Sequence, residues 1–185
     1  MKLYFTILLS LSLSIGQGQT LNTNWKKDLN TSLQNFIHCG NAGGEGEACN
    51  KFQCESLNTV YKVNDFYSAK SGRYMTVNEI AQFLKESKTW TSLGPVYDQE
   101  ILNKAQNLAN SKKAVVAIYQ NAVGAGHLVL VIPGEVQQSG SWGLQVPNVA
   151  SFFLPEPERS FVDKGLSYAF TKNMIRDIAI YVRNY

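Results

Sequence analysis

Charge is scarce in this chain. Only 17% of its 185 residues are Asp, Glu, Lys or Arg, while 44% are hydrophobic. That balance excludes intrinsic disorder, which needs the reverse. The net charge is small, +3 at pH 7, with no basic block. No nucleic-acid partner is expected from so weak a footprint. Fourteen glycines without a Gly-X-Y period exclude collagen. There is no internal repeat and no low-complexity tract. Histidine occurs twice and cysteine three times. Their spacing lacks the second pair that a zinc site needs, so neither metal nor other cofactor is expected. After residue 16 no apolar run is long enough to span a bilayer.

What is present begins with MKLYFTILLSLSLSIG, residues 1–16. Lys2 forms a short positive start, Leu3 to Ile15 an apolar core, and Ser14 and Gly16 supply small residues before a cut. This reads as a signal peptide cleaved near 16–18. Residues 17–185 then form one domain, since about 100–200 residues make one. The expected product is secreted, extracellular or periplasmic, with no membrane span. Outside the cell an odd cysteine count leaves one thiol unpaired within the molecule. All three cysteines lie in the window CGNAGGEGEACNKFQC. The expected arrangement pairs Cys39 with Cys54 and leaves Cys49 as the thiol.

Leu21, Trp25, Leu29, Leu33 and Ile37 recur at helical spacing, which predicts a helix ending near Cys39-Gly40. Residues 40–47, GNAGGEGE, read as a loop. A second helix should start near Ala48 or Cys49 and run to about Val63. Thr76-Val77-Asn78-Glu79 is a capping-box pattern before a helix over 77–86. Asp98 caps another through about Asn110. Then AVVAIY (114–119), HLVLVI (127–132) and a stretch within 141–149 read as strands. The segment 175–182 reads as a strand or a helix. Helices first and an antiparallel sheet after them make an α+β domain.

Two residues stand out chemically. Cys49 opens a helix directly after a glycine-rich loop, where free N–H groups and the helix dipole favour thiolate. His127 opens a strand directly after AVGAG. An imidazole beside a thiol takes its proton and later gives it to a leaving amine. N–H groups at the helix start, that of Cys49 among them, can hold an oxyanion. Spacing alone leaves other readings open. Cys49 can be a buried hydrophobe, His38-Cys39 a rival pair, and Cys54 a nucleophile set in a helix body. Trp90, Tyr119, Trp142 and Phe152 can line a groove or fill the core. Glu45 and Glu47 can meet a substrate amine or simply face solvent.

Ala48-Cys49-Asn50-Lys51-Phe52 resembles the nucleophile helix of the NlpC/P60 and CHAP group of papain-like cysteine peptidases and amidases. Gly126-His127-Leu128-Val129-Leu130-Val131 resembles their Gly-His strand. The intervening Ala105 to Asn110 and Ala114 to Ala117, and the Ser141 to Pro147 segment SWGLQVP, extend the likeness over about residues 45–150. The chain departs from the group's common Asp-Cys-Ser-Gly at the nucleophile. The resemblance implies a papain-like domain with helices packed on a central antiparallel sheet. It implies a metal-free hydrolase of amide or peptide bonds in the stem peptides or cross-links of peptidoglycan, with Cys49 as nucleophile and His127 as base. A polar residue on the next strand would orient the imidazole. A hairpin turning within 134–141 sets Asn148 opposite His127, with Gln145 as the alternative. Expected partners are peptidoglycan or muropeptide substrate and, for a toxin, a cognate inhibitor or immunity protein. The chain is expected to be monomeric. The rival readings are a secreted binding module of the same fold without catalysis, and a papain-type protease or acyltransferase acting on proteins.

Overall fold

Helix α1 (Trp25–Asn41) follows the expected stripe, burying Leu29, Leu33 and Phe36 against the core. The structure, a computed structural model, describes residues 20–42, 46–121 and 126–185. The expected signal segment 1–16, Glu45 and Gly124 lie outside these residues, as does the side chain of Glu47. Helix α2 (Gly46–Tyr61) begins earlier than its apolar pattern suggests. It buries Cys49, Gln53, Cys54, Leu57, Val60 and Tyr61. A short hairpin of β1 (Tyr67–Ser68) and β2 (Arg73–Tyr74) leads to α3 (Val77–Glu86). The capping box is present there: the Thr76 hydroxyl accepts from the Glu79 N–H, and the Glu79 carboxylate accepts from the Thr76 N–H. Arg73 grips both oxygens of Glu79 at 2.8 Å. These Arg73 bonds, with the Thr76 N–H second, hold the carboxyl down at a pKa of about 2.

Strand β3 (Trp90–Pro95) precedes α4 (Gln99–Asn110), whose first turn is capped by Asp98 accepting from the Glu100 N–H at 2.8 Å. The remaining strands are β4 (Val115–Gln120), β5 (Gly126–Val131), β6 (Gln137–Ser139), β7 (Leu144–Val146), β8 (Asn148–Ser151), β9 (Phe161–Gly165) and β10 (Ile178–Arg183). Among the described residues, six of the ten strands form one sheet in the order β3-β10-β4-β5-β8-β9, every neighbour antiparallel. The α+β expectation therefore holds. The last segment is a strand preceded by a 3-10 turn over Lys172–Asp177.

Val115 to Ile118 are all buried, as a strand covered on both faces requires. One face packs on α2. Gln53 and Leu57 surround a small internal void together with Val116, Leu128, Leu130 and Ala150. Helix α4 packs on β3, β4, β5 and β10 and buries Leu102, Ala105 and Ala109. No helix of the described residues is long and apolar enough to cross a membrane.

The connection after β5 differs from the expected single hairpin. Strands β6 and β7 pair only with each other, Gln137 opposite Val146, as a separate two-stranded unit. On the side of β5 away from β4 the partner is β8, with Val129 opposite Ser151 and Val131 opposite Val149.

Candidate active site

Helix α2 runs alongside β5 and is pinned to it at two points. The Gln53 amide donates to the Leu128 carbonyl, and the Tyr61 hydroxyl donates to the Val131 carbonyl at 2.7 Å. From Gln53 to Tyr61 the helix rises about 12 Å. From Leu128 to Val131 the strand covers about 10 Å. Helix and strand thus advance together. One turn before Gln53 stands Cys49, level with the start of β5, where Gly126 and His127 lie. Across the strand the picture is different. Leu128 and Leu130 face α2, so alternation turns His127 to the opposite face, with Val129 and Val131.

The cysteine pairing corrects the expected one. Cys39, in the last turn of α1, is bonded to Cys49, with their Cα atoms 6.0 Å apart. Cys54 carries the free thiol. That thiol donates to the Met75 carbonyl at 3.4 Å, and burial first, then Glu55, pushes its pKa up to about 12. Cys54 is therefore a poor nucleophile, in keeping with its place in the helix body. The pairing follows from where α2 starts. Cys49 closes the first turn and meets the end of α1, while Cys54, more than a turn later, points to Met75. The early start also moves the Cys49 N–H to the border of the free set at the helix terminus.

His127 is 8% exposed. Its Nε2 lies 2.8 Å from the Ser151 hydroxyl. The rings of Phe153 and Phe170 stand edge-on to it, at centroid distances of 5.3 and 5.5 Å. Burial lowers its pKa to about 4, so the ring is neutral at pH 7. In the tautomer whose Nε2–H donates to Ser151, the Nδ1 lone pair is available as a base. The imidazole opens into a cavity of about 480 Å³, lined also by Phe153, Arg159, Tyr168, Phe170 and Lys172.

Asn148 is not beside His127, contrary to expectation. Its carbonyl accepts from the Ile132 N–H at 3.0 Å, at the far end of β5. Its carboxamide donates to Asp163 at 2.6 Å and accepts from Gln137 at 3.0 Å. Its N–H donates to Gln106 at 2.7 Å, and the Gln106 amide donates to the Ile132 carbonyl at 3.0 Å. Lys26 donates to Asp163, and that bond first lowers the Asp163 pKa. Gln145, the alternative, is exposed on β7, its backbone bonded to the Gln99 side chain at 2.9 Å in both directions. The expected register failed because the β6–β7 hairpin and Pro147 intervene between β5 and its true partner.

Ser151 is the polar residue that the sequence reading missed. It lies diagonally across from His127, within reach on an antiparallel pair. Counting back from β8 with the correct register would have found it. Among the aromatics, Trp90, Trp142 and Phe152 are core residues and Tyr119 is half-buried. The cavity takes its rings from Phe153, Tyr168 and Phe170 instead, which sit in a loop and on or just after a three-residue 3-10 turn, too short for a readable period. His38 is exposed on α1, and its neighbour Cys39 is in the bridge. No group of three His, Cys, Asp or Glu among the described residues is placed to hold a metal.

No family model matches this chain, and no curated protein is similar to it beyond chance.

Proposed function

We propose that this protein is an exported cysteine hydrolase of the NlpC/P60 and CHAP type, cleaving amide bonds in the peptide part of bacterial peptidoglycan. The observation that carries the reading is His127. It is a neutral, buried imidazole bonded at Nε2 to Ser151 and open to a cavity; its ring lies on the sheet face away from α2, so its pairing with Cys49 rests on the sequence resemblance. The disulfide is compatible with an oxidising compartment outside the cytoplasm.

In the reduced protein, Cys49 attacks the scissile carbonyl carbon and its thiol proton passes to His127 Nδ1. The tetrahedral intermediate collapses to a thioester as His127 returns the proton to the leaving amine. Water, deprotonated by the same imidazole, then releases the acid and restores the thiol. With a pKa of about 4, His127 acts from its neutral form as a general base and is not a standing imidazolium partner.

The test is a digest of purified peptidoglycan under a thiol reductant by wild type, C49A and H127A, read by mass spectrometry of the released fragments. The reading expects release by wild type alone. Two observations favour a second reading, a binding module without catalysis: the bridge occupies Cys49, and the His127 ring faces away from α2. Reduced wild type that binds wall fragments without cutting them would establish that reading instead.

A further inference from the structure

The Cys39–Cys49 bridge joins the candidate nucleophile to a cysteine on a different helix. Its two sulfurs sit in unequal places. Cys39 is half-buried near the end of α1, whereas Cys49 is 1% exposed. An attacking thiolate from solvent therefore meets Cys39 first. The sulfur then expelled is that of Cys49, at the N-terminal turn of a helix of 16 residues, where the dipole favours the departing thiolate. A leaving thiol of lower pKa leaves faster. The third cysteine does not compete. Cys54 is buried, bonded to the Met75 carbonyl, and held protonated.

We propose that the Cys39–Cys49 bridge is a redox latch on the nucleophile, so that the oxidised protein is inactive and a dithiol reductant switches it on. This rests on Cys49 being the nucleophile, as proposed above. In the step, one thiolate of the reductant attacks Cys39 Sγ. The Cys39–Cys49 bond breaks, Cys49 takes the electron pair, and a mixed disulfide forms on Cys39. The second thiol of the reductant closes its own disulfide and releases Cys39. The exchange moves two electrons: the bridge is reduced to two thiols and the dithiol is oxidised to a disulfide. Outside the cytoplasm the latch keeps the enzyme silent until it meets a reducing partner, a dithiol protein or a small dithiol.

The experiment compares five samples on purified peptidoglycan: oxidised wild type, wild type reduced with dithiothreitol, C39S without reductant, and C54S in each redox state. Alkylation and peptide mapping report the thiol state of each. The latch predicts that oxidised wild type is at least about 100-fold slower than the reduced protein. C39S should match the reduced protein without any reductant, and C54S should behave as wild type in both states. Reduced wild type holds the same open bridge without a mutation, so poor folding of C39S would not obscure the answer. Oxidised wild type that cuts as fast as reduced wild type, with the bridge shown intact, overturns the latch and removes Cys49 from the reaction. Rates that follow Cys54 and not Cys39 overturn the latch but leave a thiol-dependent hydrolase. If reduced wild type and C39S are both inert although Cys49 is shown to be a thiol, the hydrolase reading has failed and takes the latch with it.

Discussion

The two ends of the β5–β8 pair each hold a buried polar side chain, and they are built for different work. At one end, the Asn148 side chain bonds to Asp163 and Gln137 and its backbone to Gln106 and Ile132. At the other, the His127 side chain has one hydrogen bond among the described residues, between Nε2 and the Ser151 hydroxyl, and beside it two aromatic edges and a cavity. Burial costs a polar group its water, and a full set of partners offsets that cost. A residue so matched has no capacity left for a ligand. An imidazole bonded at one nitrogen keeps the other for proton transfer. The sequence expectation put Asn148 beside the imidazole; the side chain that bonds to it is Ser151.

The largest expected effect is at the His127 end. Under reducing conditions H127A should lose about 10²- to 10⁴-fold in the rate of fragment release, the range for removing a general base. Its circular dichroism should stay native. A comparable loss in N148A, measured at a temperature where that variant is folded, would erase the distinction.

The second effect is on stability against pH. In the unfolded chain a histidine takes its proton near pH 6.5; folded, His127 takes it only near pH 4. Between those values the unfolded state binds more protons. Stability is therefore full above about pH 6.5 and falls as pH drops toward 4, by about 3 kcal/mol in all. Urea melts at pH 7 and pH 4.5 should show this loss in wild type, and a smaller one in H127Q.

At the other end, N148A should cost about 2 kcal/mol, because it strips Gln137 and Asp163 of a buried partner. For a chain of this size that lowers Tm by about 6 °C, with kcat under reducing conditions unchanged. The smallest effect is that of S151A. It frees the Nε2 side of the ring and should slow release about 10-fold, equivalent to about 1.4 kcal/mol, mostly in kcat. Its Tm should fall less than that of N148A.

Much of this was legible in the sequence because it was local. The Thr76–Glu79 box and the Asp98 cap place α3 and α4 on residues that signal their own boundaries. The β4 and β5 runs are short and rich in Val, Leu and Ile. The α1 stripe repeats often enough to fix its buried face. What escaped was long-range. The partner of β5 depends on a hairpin that folds apart from the main sheet, and no local signal separates Gln137–Ser139 from the loop around it. Strand β9 reads FVDKG, with its two charged residues exposed on an edge, and has no alternation to betray it. The bridge depends on where α2 starts, and glycine-rich sequence hides that start. Cys49 and His127 were visible by type and neighbours; Ser151 became visible only once β8 had its register.

The proposed hydrolysis needs Cys49 and His127 to meet, although the His127 ring lies on the sheet face away from α2. The most direct measurement is the rate of alkylation of Cys49 by iodoacetamide in reduced protein at pH 6, in wild type and H127A, followed by peptide mass spectrometry. A working pair gives fast modification in wild type and a rate at least about 10-fold lower without the imidazole. Equal rates in the two proteins would mean that the histidine does not reach the thiol, and would contradict it.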